Sequence, residues 1–141
     1  MASSPEAVRA LVRRLEEAMN TRRLDALDEV LAPDFVRHSP ATPQLAVTDR
    51  EQFKDFLRQD AATFPDNVQT FTQVLVDGDR AAVWATYEGT QTGPMGPFPP
   101  SGKRARFDFA GVFRVEDGRI AEMWLVWDNV TVLSQLGHFP G

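Results

Sequence analysis

An aspartate at the end of an apolar run is the strongest candidate for chemistry in this sequence. Asp128 closes the run 119–127, which holds two of the three tryptophans and follows the turn Glu116-Asp117-Gly118. An Asp-Gly pair between two apolar runs is a strong hairpin signal, so the run is predicted to be a central strand. Among aromatic side chains Asp128 would lose hydration, which raises the pKa of a carboxyl group and suits it to acid-base catalysis near neutral pH. The alternative is that Asp128 only caps the following helix.

His38 is the second candidate, because it lies between the apolar pair Phe35-Val36 and the proline-rich turn 39–43. A histidine there could hydrogen-bond a substrate carbonyl, share a proton with Asp128 or act as the base itself. The alternative is a surface histidine without a role. The other histidine, His138, is predicted to be exposed and inert.

Aromatic side chains could form an apolar pocket for a flat hydrophobic ligand, although strand aromatics more often belong to a core or a dimer interface. The candidates for substrate contact are Trp124, Trp84, Phe56 and Phe35, with Gln91 as a polar contact at the edge of a long loop. Charged residues on the third long strand, together with Glu122, are predicted to form a solvated or dimer-facing ladder.

The elements that must position these residues follow from hydrophobic periodicity. A helix is predicted after the N-cap Ser4 and Pro5, a second over Leu24 to Leu31 ended by Pro33, and a third from the capping box Thr48–Glu51. After the third helix, apolar residues recur at every second position, which predicts strands. These strands cover Val68 to Val76, Ala81 to Tyr87, Arg104 to Val115 and the run ending at Asp128; a short strand at Phe35–His38 and a last helix at Val130–Leu136 complete the chain.

Helices that precede the strands, rather than alternate with them, indicate an α+β fold. The expectation is one domain over residues 1–141, with a curved antiparallel sheet roofed by three N-terminal helices. Such a sheet forms a cone whose mouth can hold a ligand.

Composition narrows the classes of function. The 141 residues carry a net charge of -5 and no cysteine, which disfavours nucleic acid or an anionic membrane as partner and excludes thiol chemistry. Two histidines make a histidine-rich metal site unexpected, and nucleotide-binding glycine motifs are absent, so neither metal nor cofactor is expected. The start Met1–Ser4 is polar and predicts no signal peptide, so a cytoplasmic location is expected.

Several motifs, taken in order, resemble the SnoaL-like polyketide cyclases of the nuclear transport factor 2-like superfamily. They are Asp34–Pro40, Phe64–Asp66, Gly89–Gly93, Pro99–Lys103, Phe113–Ile120, Trp124, Asp128 and Gln135–Gly137. The resemblance implies a homodimer through the sheet and a cofactor-free intramolecular aldol condensation of a polyketide. It matches Asp128 to the acid-base aspartate of the family and His38 to the histidine of its Asp-x-x-x-His stretch. Gln91 and Met123 stand where many relatives have histidine.

Three other functions are compatible with the same cone. A ketosteroid-isomerase-like enzyme would move a proton along an enone, and an epoxide-hydrolase-like enzyme would activate water against an epoxide. The third is a non-catalytic module for small-molecule binding or dimerisation.

Overall fold

Five strands form one curved mixed sheet in the computed structural model, which describes residues 4–139. The strands are β1 Leu31–His38, β2 Val68–Asp77, β3 Arg80–Thr90, β4 Arg104–Glu116 and β5 Arg119–Trp127, in the spatial order β1-β5-β4-β3-β2. The helices are α1 Pro5–Asn20, α2 Leu27–Val30, α3 Arg50–Thr63 and α4 Asn129–Leu136, with a 3-10 turn at Leu24–Ala26. The predicted α+β class and the roof of N-terminal helices are confirmed.

The first strand departs from the predicted layout. Strand β1 is eight residues long and pairs parallel to β5, whereas β2 to β5 are antiparallel neighbours. Pro33 does not end the second helix as predicted, because the chain is already extended at Leu31 and Pro33 lies inside β1. An edge strand tolerates proline, which lacks the N–H that a central strand must donate.

Helix starts follow local capping chemistry. The Ser4 hydroxyl accepts from the Ala7 amide at 3.1 Å, as predicted. The cap of α3 is Asp49 rather than Thr48, because the Asp49 carboxylate accepts from the Gln52 amide at 2.8 Å and the helix begins one residue later.

Strand alternation divides the sheet into two faces. The inner face, under the helices, carries buried residues such as Phe71, Val83, Phe109, Phe113 and Met123. The outer face carries the residues between them, among which Trp84 and Val126 are about half exposed. Helix α1 packs its apolar stripe against the inner face, so the core lies on that side.

None of the helices within residues 4–139 is long and apolar enough to cross a membrane. The expectation of no signal peptide is based on Met1–Ser4, and residues 1–3 of that stretch lie outside the described range.

The long loop 91–103 holds the C-terminal end of α3 in place. The amides of Thr92 and Gly93 both donate to the Thr63 carbonyl, at 3.0 and 3.1 Å. Gly93 is buried, and a side chain added there would collide with the backbone carbonyl of Ala62. Glycine is therefore required for the loop to approach the helix end.

We expect Gly93→Ala to lower the free energy of unfolding by about 1–3 kcal/mol, because neither backbone can yield without shifting α3. Denaturant unfolding measures this, with Thr92→Ala at the exposed neighbouring position as the control. Equal losses in the two variants would contradict the close-approach explanation.

Candidate active site

Two adjoining spaces lie between the helices and the inner face of the sheet. The outer pocket has a volume of about 410 Å³, and the inner pocket has a volume of about 30 Å³. Met19, Leu57 and Gln69 line both, so these three side chains form the wall between them. The outer pocket can hold a fused-ring molecule, whereas the inner one has room for a water or a single polar group.

Asp60 is the acidic group of the outer pocket. It lies on the inward side of α3, where the Tyr87 hydroxyl, from the inner face of β3, donates to Asp60 Oδ2 at 2.8 Å. Desolvation raises the pKa of Asp60 to about 6, although Tyr87, Arg22 and Arg37 act in the opposite direction. The same burial, with Asp60 nearby, raises the pKa of Tyr87, so the phenol remains a proton donor. A carboxyl group with such a pKa can exchange a proton near neutral pH.

Arg37 is the cation of the inner pocket. It lies on β1, is 5% exposed, and its guanidinium carbon stands 4.4 Å from the ring centre of Phe56 and 5.8 Å from that of Trp127. Its Nη1 donates to the Thr42 hydroxyl at 3.2 Å. Burial lowers the pKa of Arg37 to about 10, so the side chain stays charged at neutral pH.

A row of aromatic rings crosses the inner side of the sheet near these groups. The Tyr87 ring packs edge-on against Phe64 at 5.7 Å and stacks on Phe107 at 5.2 Å, and Phe107 lies 6.4 Å from Trp127. These rings fix the orientation of the Tyr87 hydroxyl toward Asp60.

Arg22 holds the rim of the outer pocket. Its backbone has a left-handed φ of 61°, which is uncommon for a residue with a side chain. Its guanidinium donates to the carbonyls of Met19, Pro65 and Asn67, each at 3.0 Å. The end of α1 is thereby tied to the turn before β2.

Asp128 does not lie in this site. It is exposed, and its carboxylate accepts from the Thr131 hydroxyl and the Val130 amide, both at 2.9 Å, which hold the pKa of Asp128 below its usual value. The expected desolvation and raised pKa are therefore wrong, and Asp128 caps α4. The physical reason is that side chains alternate between the two faces of a strand. Asp128 follows Trp124 and Val126 at a spacing of two residues, and both of these lie on the outer face.

His38 also lies outside the pockets. Its Nε2 is 2.6 Å from Glu122 Oε2, and its ring stacks on Trp124 with centres 5.4 Å apart. Arg114 donates to the other oxygen of Glu122 at 3.1 Å, so the predicted charge ladder is present on the outer face. The hydrogen bond from His38 and the contact with Arg114 lower the pKa of Glu122. The structure does not bring His38 and Asp128 together.

The predicted substrate-contact residues are divided among three places. Phe56 lines the inner pocket, whereas Phe35 is fully buried in the core against Phe53. Trp84 and Trp124 are on the outer face and line neither of the two pockets.

Gln91 is fully buried and its amide is saturated. The Nε2 group donates to the carbonyls of Gly93 and Pro99, both at 3.1 Å, which leaves Oε1 as an acceptor 2.7 Å from His138 Nε2. That nitrogen of His138 must therefore carry the hydrogen. His138 is half-buried and packs against Phe98, so the expectation that it is exposed is wrong.

The residues that sequence reasoning missed have a recognisable signal. Asp60 falls on the same side of α3 as Phe53, Phe56 and Leu57, where a carboxylate interrupts an apolar stripe. Arg37 alternates with Phe35 on β1 in the same way. A charge at a position that periodicity assigns to the interior is a stronger indication of a site than a carboxylate at a strand end.

We expect Asp60→Asn to become more stable relative to the wild type as pH rises from 4 to 7. The folded pKa of about 6 exceeds the unfolded value of 3.8, so the wild type loses stability across this window. The gain in the free energy of unfolding of Asp60→Asn relative to the wild type is roughly 3 kcal/mol at most. Thermal unfolding at several pH values measures it. Asp128→Asn is the control with the opposite sign, and parallel pH profiles for Asp60→Asn and the wild type would contradict the assignment.

Comparison with known proteins agrees with this architecture. The profile of the SnoaL-like polyketide cyclase family matches residues 9–136. IdmH of Streptomyces antibioticus, proposed to be a polyketide cyclase, is 34% identical, with a TM-score of 0.81 over 92% of this chain and 98% of that one. No curated protein sequence matches.

Two further structures are more distant in sequence. A protein of Jannaschia sp., proposed to be a SnoaL-like polyketide cyclase, is 26% identical, with a TM-score of 0.85 over 99% of both chains. A protein of Catenulispora acidiphila with a ketosteroid isomerase-like fold is 21% identical, with a TM-score of 0.76 over 96% of this chain and 95% of that one, and supports the fold alone. With the family profile covering nearly the whole sequence, this chain belongs to the SnoaL-like polyketide cyclase family.

Proposed function

We propose that this protein is a cofactor-independent cyclase that removes a proton next to a carbonyl group of a hydrophobic, polyketide-like molecule and closes a ring by an intramolecular aldol step. The observation that carries this proposal is a single carboxyl group, Asp60, on the wall of a pocket large enough for a fused-ring molecule. Family membership supports the reaction class, and the position of Asp60 supports the residue.

The proposed reaction uses one group as base and then as acid. The Asp60 carboxylate takes a proton from the carbon next to a carbonyl, and the electrons of that C–H bond form an enolate. The enolate carbon attacks a second carbonyl of the same molecule, which forms the new C–C bond. The resulting alkoxide takes the proton back from Asp60. Tyr87 occupies only Oδ2, and Oδ1 has no hydrogen-bond partner among the described residues, so one oxygen remains for the substrate.

The geometry favours Asp60 over Asp128 as the base. Asp128 is an exposed carboxylate with a lowered pKa, which makes it a weak base, and it lines neither pocket, whereas Asp60 is desolvated and lines the outer one. Proximity within the pocket contributes further to the rate, because the reaction joins two parts of one molecule.

The alternative activities of the same cone make different products. An isomerase would exchange the same proton without forming a C–C bond, and an epoxide hydrolase would leave carbon-bound hydrogen untouched. A binding module would accelerate none of these reactions. Exchange and ring closure, measured separately, distinguish the cyclase from the isomerase and both from the other two functions, and epoxide hydrolysis separates those two.

We expect the wild type to accelerate deuterium exchange at the acidic carbon of β-tetralone, a fused-ring ketone, and to cyclise a naphthyl-substituted diketone. Asp60→Asn should lower the exchange rate by about 10²–10⁴-fold, because the amide cannot accept the proton. Proton NMR in D₂O follows the exchange. The wild-type rate should fall as pH drops through about 6, where Asp60 becomes protonated.

Asp128→Asn is the matched control, since it makes the same chemical change outside the pocket. The proposal is wrong if Asp60→Asn keeps the wild-type rate, or if Asp128→Asn abolishes exchange while Asp60→Asn does not.

We also propose that the protein forms a homodimer through the outer face of the sheet. Register places Trp84, Ala110 and Val126 in one cross-strand row, with Val112 and Trp124 paired in the adjacent row. Trp84 is 47% and Val126 is 50% exposed. A contiguous apolar patch of this kind is typical of a protein interface.

We expect the wild type to sediment as a dimer of its 15.8 kDa chain and Trp84→Glu to sediment as a monomer, because an unpaired charge at an apolar interface is strongly unfavourable. Analytical ultracentrifugation measures the mass. Val130→Glu, at an equally exposed valine on α4, is the control and should remain dimeric.

A further inference from the structure

Arg37 is held at the inner pocket by its backbone. Its amide donates to the Val47 carbonyl at 3.0 Å, and its Cα is in register with Met123 of β5 on the other side. The strand is therefore paired on both edges at this residue. The side chain cannot be carried to solvent without breaking these contacts.

The guanidinium is under-satisfied for a buried cation. Nε is buried and has no hydrogen-bond partner, and the Thr42 hydroxyl is the one side-chain acceptor that Arg37 reaches in the described part of the chain. Over residues 4–139, no carboxylate lies within 4.0 Å of it. The electrostatic influence of Asp60 reaches it without an ion pair.

Burial of a charged group without a partner is costly. The rings of Phe56 and Trp127 offset part of that cost through cation–π contacts, but a ring face does not accept the Nε hydrogen in place of an oxygen. Nη2 also has no hydrogen-bond partner among the described residues, and Arg37 lines the small pocket. An anionic oxygen is the group that complements it best, because charge-assisted hydrogen bonds to guanidinium are strong and directional.

We propose that Arg37 binds an anionic oxygen of the substrate, either an enolate or a carboxylate, while the ring system occupies the outer pocket. The volumes support this division, because about 30 Å³ admits an oxygen but not a ring. The two spaces share the flexible side chain of Met19 as a wall, so a short oxygen-bearing arm can pass beside it. The substrate class is therefore a fused-ring or polyketide molecule whose short arm bears a carboxylate or an enolisable carbonyl. The enolate form of this assignment rests on the proposed function.

The two ends of the site then have separate tasks. In the enolate form of the assignment, Asp60 takes the proton in the outer pocket, and Arg37 stabilises the negative charge that proton removal leaves on oxygen. Stabilisation of a developing oxyanion by a fixed donor is a large contribution to catalysis of this kind.

The test compares two ligands of the same shape, naphthoate and naphthamide, by isothermal titration calorimetry. We expect the wild type to bind naphthoate about tenfold more tightly or better. Arg37→Met should lose that preference, and Arg37→Lys should retain part of it because the charge remains. Equal affinities in the wild type, or a preference that persists in Arg37→Met, would overturn the proposal.

A second ligand separates enolate from carboxylate. The absorption spectrum of bound β-naphthol shows whether its oxygen is ionised, so ionised naphthol in the wild type and neutral naphthol in Arg37→Met assign an enolate-type site. If bound naphthol is neutral in both the wild type and Arg37→Met, and the wild type still prefers naphthoate, the site is assigned to a carboxylate arm.

The variants report on Arg37 apart from the proposed reaction. Arg37→Met should fold at least as stably as the wild type, because it replaces an unpaired buried charge with an apolar chain of similar length. In Asp60→Asn the naphthoate preference should persist, so failure of the exchange experiment leaves this measurement interpretable. A purely structural Arg37 would not discriminate between the two ligands.

Discussion

Strand alternation is the constraint on which the site depends. Helices cover one face of the sheet, so the parity of a residue along its strand decides whether it meets the enclosed space or the outside. Tyr87 and Trp127 have the inward parity. Trp84, Trp124 and Glu122 have the outward parity, and the face they form has its own set of charges and apolar residues. One curved layer thus separates two surfaces with unrelated chemistry.

The interior carries two opposite charges that do not form an ion pair. Asp60 comes from α3 and Arg37 from β1, and each is paired with neutral groups instead: a phenol in one case, a hydroxyl and two aromatic rings in the other. Direct pairing would lower the pKa of the carboxyl group and saturate the guanidinium. Their separation keeps the first basic near neutral pH and leaves the second with an unfilled donor. The arrangement depends on the position of α3, which loop 91–103 holds through the carbonyl of Thr63.

Local patterns were sufficient for most of the fold. Apolar residues that recur every 3.6 or every two residues predict the long helices and strands, and turn residues such as Gly118 mark their ends. Pro33 was misread because its effect depends on whether its strand lies at an edge, which is a property of the whole sheet. The site was harder to predict. Aromatic content does not distinguish the two faces, since both carry tryptophan. Whether Asp128 faces the pocket or the outside depends on which face of the sheet is covered by helices, and the sequence does not show this. Asp60 could have been found from its place in the apolar stripe of α3.

Arg22 ties the rim of the outer pocket to three carbonyl oxygens of the main chain, and the Asn67 side chain is the one side chain it bonds within residues 4–139, at 3.2 Å. Every residue provides such a main-chain oxygen. The other side chains that line the pocket can therefore be exchanged without loosening its entrance, provided that Arg22, Asn67 and the path of the turn are kept. A scaffold with this property separates the evolution of substrate preference from the maintenance of shape, and related chains can diverge in what they accept while the opening stays the same.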